Sequence, residues 1–97
     1  MVIINDASTD GSDQLYTKYL NFYNIDKSIY SFVNNTQRLF TLENYYKAVY
    51  DYCSSDSIVI GVDGDDELIG KNVLKIFNVA YQRFKAGVVW SSFYWYN

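Results

Sequence analysis

The sequence predicts an α/β fold in which a mostly parallel sheet lies between two layers of helices. Short apolar or β-branched runs alternate along the chain with helical patterns, as they do in layered α/β domains. Residues 58–62 are apolar without polar alternation, which is typical of a strand buried on both faces of a parallel sheet. The length of 97 residues leaves room for one domain.

The first strand is predicted at residues 2–4, where Val-Ile-Ile is followed directly by the polar segment 5–12. Ser12 or Asp13 is predicted to cap the helix that comes next. The apolar face of this helix is predicted to comprise Leu15, Tyr19, Phe22 and Tyr23.

A second strand is predicted around residues 29–33, with Asn34 and Asn35 following it. The next helix has the clearest pattern, because apolar residues recur at alternating steps of three and four. These residues are Leu39, Leu42, Tyr46, Val49 and Cys53. The polar segment 54–56 ends this helix, and residues 58–62 are predicted to form the third strand.

The third helix is predicted over residues 71–85, and residues 87–96 are predicted to form a final, aromatic-rich strand. The residues of this helix that are expected to face inward are Val73, Ile76, Phe77, Ala80 and Phe84. The alternative for the aromatic tail is an exposed partner-binding edge, and burial of Trp90, Phe93 and Trp95 would separate the two.

The composition excludes several classes of site. The chain has no His, so Ser-His-Asp triads and His-ligated metals are excluded. Cys53 is the single cysteine, which excludes an intrachain disulfide and indicates a reducing compartment. A net charge of −3 with scattered cations argues against nucleic acid binding. No apolar run approaches the ~20 residues of a membrane span, and we expect a cytoplasmic protein.

The two polar segments lie where ligands bind in parallel sheets, beyond the carboxyl ends of strands. Residues 63–67 hold four of the eleven acidic residues, and a Mg²⁺ or Mn²⁺ ion would offset their mutual repulsion. A solvated acidic turn is the alternative interpretation. In segment 5–12, Asp6 can accept a hydrogen bond from a base or ribose, although such residues are also ordinary in turns.

Together these segments resemble those of a known family. Residues 2–12, Val-Ile-Ile-Asn-Asp-Ala-Ser-Thr-Asp-Gly-Ser, are similar to the VVDDGSTDGS segment of family 2 glycosyltransferases, which have the GT-A fold. Residues 58–68 resemble their hhhhDxDDEL segment, which holds the DXD motif. The order and separation match, and the helix that begins near Leu39 lies between them, as it does in the family. The resemblance implies that residues 1–97 form a partial, Rossmann-like GT-A domain that binds a nucleotide-diphospho-sugar.

The resemblance also implies roles for individual acids. Asp6 matches the family aspartate that hydrogen-bonds the base, usually uracil, so a UDP-sugar is the expected donor. Asp63 matches the first DXD acid, which lies near the ribose and sugar. Asp65 matches the second, which binds the Mn²⁺ or Mg²⁺ ion that bridges the diphosphate. Asp66 is a further candidate metal ligand.

Arg38 and Asn44 fall in the segment where the family often places residues that contact the base and sugar. Their alternative interpretations are a surface charge and an exposed helix position. The sequence departs from the family at Asn5, which replaces the first acid of an Asp-Asp pair. Residues 68–97 contain no acid that can serve as the catalytic base, which is unassigned.

We therefore expect the nucleotide-sugar half of a transferase without its acceptor half. The family's first strand, which lies between those carrying Asp6 and Asp63, is not matched. Rearrangement, weak folding, a homo-oligomeric partner or a missing segment would account for the incomplete sheet.

Two other functions fit parts of the sequence. Phosphatases and phosphotransferases of the haloacid dehalogenase kind also place Asp-x-Asp after a buried strand, and Asp63 would be their nucleophile. They require Thr or Val where Glu67 stands, and they leave Asp6 without a role. The other alternative is a non-catalytic module that binds a partner. The donor sugar and the acceptor are not specified by any of these patterns.

Overall fold

Two parallel strands and three helices make up residues 1–89, the part of the chain that the computed structural model describes. In chain order the elements are β1 (Val2–Asn5), α1 (Ser12–Phe22), β2 (Ser31–Asn34), α2 (Phe40–Tyr52) and α3 (Val73–Phe84). The predicted α/β class with a parallel sheet is confirmed. The chain divides into two compact units, Met1–Val59 and Ile60–Asn97.

β1 and β2 are hydrogen-bonded neighbours whose register runs from Val2 opposite Ser31 to Asn5 opposite Asn34. A parallel pair needs a crossover connection, and α1 lies within it. β2 begins later than predicted because the Ile29 N–H closes a turn onto the Asp26 carbonyl at 3.1 Å. Since the strands are parallel, their carboxyl ends, Asn5 and Asn34, lie at the same edge.

α1 begins at Ser12, and the residue before it, Gly11, has a left-handed backbone with φ +85°. This conformation brings the Asp10 carboxylate to the start of the helix. Asp10 Oδ1 accepts hydrogen bonds from the Ser12 N–H at 3.0 Å and the Ser12 hydroxyl at 2.6 Å. These bonds, the hydroxyl first, hold the pKa of Asp10 below its ordinary value. The prediction that Ser12 or Asp13 caps the helix is therefore wrong, because Gly11 is the N-cap residue and the Asp10 carboxylate accepts the first helical N–H.

Replacing Gly11 with alanine is expected to lower the free energy of unfolding by about 1–2 kcal/mol. An added Cβ would meet nothing within 4 Å, so the cost comes from the left-handed backbone alone. Gly87→Ala is the matched control, because its Cβ also meets nothing and its φ is not left-handed. Urea denaturation of both variants measures the difference, and equal losses would contradict this explanation.

The predicted apolar face of α1 is exposed, and Phe22 has the largest exposed fraction of that face at 76%. Tyr19 and Tyr23 stack on each other, and Phe22 meets Tyr23 edge to face, so these rings contact one another at the end of α1. Tyr16 contacts the sheet instead, with its ring centroid 6.2 Å from that of Phe32 on β2.

α2 and α3 lie where the helical patterns predict them, within one or two residues at each end. On α3, Val73, Phe77 and Ala80 are half-buried, as expected. Ile76 and Phe84 are exposed, which corrects their predicted inward position. Ile76 lies at the margin of the half-buried stripe, and Phe84, in the last turn, packs under the Arg83 guanidinium at 5.4 Å.

The predicted third strand does not form in the described part of the chain, where residues 58–62 have no regular structure. A strand requires a hydrogen-bonded neighbour, and the sheet that the structure describes joins β1 to β2 alone. Residues 87–89 are not a strand either. The remainder of the predicted last strand, with Trp90, Phe93 and Trp95, lies outside the described residues.

Burial in residues 1–89 is slight. No hydrophobic side chain of these residues is buried, and Asn5, at 5% exposure, is the buried polar residue. The contacts that position the carboxyl ends of the strands are therefore mainly hydrogen bonds.

Among residues 1–89, no helix has the length and apolar character needed to cross a membrane.

Candidate functional site

A hydrogen bond between two amide side chains joins the carboxyl ends of β1 and β2. Asn5 Nδ2 donates to Asn34 Oδ1 at 2.6 Å, and these two residues are also partners in the strand register. Asn5 Oδ1 accepts the Ser8 N–H at 3.3 Å, which fixes the chain where it leaves β1. The position where the family has an acid is therefore occupied by a buried amide that joins the two strands.

Asp6 follows β1 directly and binds the start of α2. Its Oδ1 accepts the Leu39 N–H at 2.8 Å and the Asn35 amide at 2.9 Å. Its Oδ2 accepts the Phe40 N–H at 2.9 Å. The first backbone N–H groups of a helix have no partner within the helix, so Asp6 caps α2 from another element.

The same contacts stabilise the ionised form of Asp6. The Leu39 N–H is the largest cause that holds the pKa of this carboxyl well below its ordinary value, and partial burial opposes it. The amides of Asn35 and Asn44 and the Phe40 N–H also lower the pKa. At neutral pH the Asp6 carboxyl is therefore ionised, so it can accept hydrogen bonds and cannot donate one. Oδ2 accepts the Phe40 N–H at 2.9 Å, and a carboxylate oxygen has two acceptor positions, so Oδ2 can accept a second hydrogen bond.

Asn35 joins two of the predicted site residues. Its amide donates to Asp6 Oδ1 and also to Asn44 Oδ1, at 2.8 Å, so Asn44 belongs to the same network. Sequence reasoning noted Asn35 after the second strand but gave it no role in the site. The signal was its position, because Asn35 follows β2 as Asp6 follows β1 in a parallel pair.

Arg38 lies beside this network in the connection before α2. Its side chain is exposed, and its guanidinium carbon lies 5.3 Å from the centroid of the Phe40 ring. Phe40 was also missed, since the sequence gives no sign that its backbone N–H binds Asp6.

The second acidic segment lies in the other compact unit and is described by itself. The Asp66 N–H donates to the Asp63 carbonyl at 3.0 Å, which closes a turn. Asp63, Asp65 and Asp66 are all exposed. Within residues 1–89 no three His, Cys, Asp or Glu side chains are grouped closely enough to hold a metal ion. A metal site at these acids stays a prediction.

An open cavity of about 390 Å³ lies elsewhere in the first unit, between the polar face of α1 and β2. Phe32 and Asn34 line it, whereas Asp6, Arg38 and Asn44 do not. The Asp6 network is the stronger candidate site, since it combines several converging polar groups with a perturbed carboxyl pKa.

Comparison with known proteins gives one match. The family model described as "Glycosyl transferase family 2" matches residues 1–97. No curated protein and no solved structure matches the chain.

Proposed function

The chain belongs to glycosyltransferase family 2, and from this membership we propose that residues 1–97 are a partial GT-A domain that binds a nucleotide-diphospho-sugar. Membership gives the general function, which is transfer of a glycosyl group. The donor, the cation and the binding residues are the proposal. A phosphatase of the haloacid dehalogenase kind is not favoured, because it leaves both the family match and the Asp6 network unexplained.

The oriented carboxylate of Asp6 carries the proposal. Its hydrogen bonds to Asn35, Leu39 and Phe40 fix its position, and Oδ2, which accepts the Phe40 N–H, can receive one more N–H group. Uracil and guanine offer a ring N–H at the edge that pairs with other bases, whereas cytosine and adenine offer an acceptor nitrogen there. Asp6 therefore favours UDP or GDP over CDP or ADP, and we propose a UDP-sugar as the donor.

Neighbouring side chains supply further contacts in this proposal. Asn44, held by Asn35 at 2.8 Å, can bind a hydroxyl or base group of the nucleoside. Arg38 is exposed, and a guanidinium binds phosphate oxygens through paired hydrogen bonds. Asp63 is assigned to the ribose and sugar.

A divalent cation is proposed to bind at Asp65 and Asp66. A metal site enclosed by protein needs several ligand side chains close together, and residues 1–89 hold no group of three such side chains. Exposed carboxylates do fit Mg²⁺ or Mn²⁺ bound together with a diphosphate, because such ions commonly take one or two carboxylates plus phosphate oxygens. When bound, the cation would offset the charge that develops on the departing nucleoside diphosphate.

Nucleotide binding tests this proposal. Titration calorimetry with UDP is expected to show tighter binding in the presence of Mn²⁺, and Asp65→Ala should reduce that affinity by roughly tenfold or more. GDP should also bind, and CDP more weakly than UDP.

Asp51→Ala is the matched control, because Asp51 is exposed and lies in the last turn of α2, outside both acidic segments. Its affinity for UDP should equal that of the unchanged protein. UDP binding that is indifferent both to Mn²⁺ and to Asp65→Ala would refute the proposed function.

A further inference from the structure

Phe40 has an unusual backbone for a bulky residue. It is the first residue of α2, yet its φ is +63°, in the left-handed region that favours glycine. The residue is 66% exposed, so burial of its side chain does not compensate for this strain. Strained residues that persist without a packing gain are found mainly at binding and catalytic sites.

The strain is maintained by the carboxylate of Asp6. The Phe40 N–H donates to Asp6 Oδ2 at 2.9 Å, and the preceding Leu39 N–H donates to Oδ1 at 2.8 Å. A carboxylate that bridges two consecutive N–H groups fixes the backbone between them. The exposed ring is therefore anchored to the residue that we propose binds the base.

The Phe40 ring already has a flat partner. The Arg38 guanidinium carbon lies 5.3 Å from the ring centroid, in a cation–π arrangement on the exposed ring. The ring face that the guanidinium covers therefore accommodates a planar, delocalised group. A nucleobase has the same character and stacks on aromatic side chains with useful affinity.

Resting on the function proposed above, we propose that the Phe40 ring is the surface on which the nucleobase stacks. The base takes the place of the Arg38 guanidinium, while Asp6 Oδ2 accepts the ring N–H of the base. Arg38, once displaced from the ring, becomes available to the diphosphate. Phe40 and Asp6 then act together, the ring on the face of the base and the carboxylate on its edge.

Phe40→Gly is the decisive variant, because glycine adopts φ +63° without strain while the ring is lost. The helix start should be at least as stable as in the unchanged protein. The affinity of the Phe40→Gly variant for UDP with Mn²⁺ is expected to fall by about tenfold. Its affinity for inorganic pyrophosphate with Mn²⁺, which has no base, should not change.

Three further variants and one NMR measurement test whether the ring itself is required. Phe40→Leu keeps the strain and loses the ring, so it should lose UDP affinity as Phe40→Gly does, whereas Phe40→Trp should retain it. Phe22→Ala removes another exposed ring, at the end of α1, and should have no effect. In proton NMR, the uracil H5 and H6 signals should move upfield on binding to the unchanged protein and not to Phe40→Gly.

The outcomes are distinguishable. Normal UDP affinity in Phe40→Gly would overturn the inference and leave the proposed function standing. A loss in Phe40→Leu with none in Phe40→Gly would also overturn it, since the backbone rather than the ring would then matter. Failure of the unchanged protein to bind UDP would overturn the proposed function, and the inference with it.

Discussion

Replacing Asp6 with asparagine is expected to destabilise the start of α2 and to abolish selective UDP binding. An amide retains one acceptor oxygen, but its NH₂ group would face an N–H donor where Oδ2 now accepts from Phe40. Loss of a helix cap in a domain of this size should lower the Tm by roughly 4–8 °C. Calorimetry would measure the Tm, and titration with UDP and CDP the loss of selectivity.

Asp10→Asn is the matched control for Asp6→Asn. Asp10 also caps a helix, since its Oδ1 accepts the Ser12 N–H at the start of α1. It lies outside the network of Asp6, Asn35 and Asn44. The control should lower the Tm and leave UDP binding unchanged. If both variants lost UDP affinity equally, general destabilisation rather than a specific contact would explain the Asp6 result.

The pH dependence of stability follows from the lowered pKa of Asp6. Because hydrogen bonds lower this pKa in the folded state, the unfolded chain binds the proton first as the pH falls below about 4. The stabilisation is therefore complete above that pH and is lost progressively toward more acidic pH. Asp6→Asn should show a shallower fall in Tm between about pH 4 and pH 2 than the unchanged protein. Identical slopes of Tm against pH in the two proteins would contradict the conclusion that the ionised Asp6 carboxylate stabilises the fold.

The placement of Asp6 could be predicted from the sequence because it depends on local pattern. An apolar run followed by a polar residue marks the end of a strand, and parallel strands bring their carboxyl ends together. The roles of Asn35 and Phe40 could not be predicted in this way. Phe40, whose φ is +63°, donates its N–H to a carboxylate 34 residues earlier in the chain, and no pattern around residue 40 reports that contact.

Residues 58–62 were predicted to form a strand from their side chains, and the strand does not form. Their apolar side chains suit a buried strand, but a strand exists only when a neighbour accepts its backbone hydrogen bonds. Within residues 1–89 the ladder joins β1 and β2 alone, and Ile58 and Val59 are 48% and 44% exposed. A sequence pattern reports side-chain preference, while strand pairing depends on which edges the rest of the fold presents.

Asn5 shows how one departure from the family is accommodated. A second carboxylate at this position would be a neighbour of Asp6 in the chain and would be buried. The amide instead supplies a donor to Asn34 and an acceptor to the Ser8 N–H, so both of its polar ends are used. This neutral link leaves Asp6 as the carboxylate at the carboxyl end of β1.

Replacing Asn5 with alanine is consequently expected to lower the free energy of unfolding by about 1–3 kcal/mol. The Ser8 N–H and Asn34 Oδ1 would each lose the partner that Asn5 supplies. Asn78→Ala, at an exposed position in α3, should be neutral or slightly stabilising, because alanine favours helix. Chemical denaturation of both variants provides the comparison.

A double-mutant cycle with Asn34→Ala tests whether the two amides act as a pair. Asn34→Ala alone leaves the buried Asn5 Nδ2 without its acceptor, so it too should be destabilising. Because each single variant already breaks the shared bond, the double variant should lose less stability than the two single losses combined, by about 0.5–1.5 kcal/mol. Strict additivity would mean that the 2.6 Å bond contributes nothing to joining β1 and β2, and that backbone pairing alone positions Asp6 for its ligand.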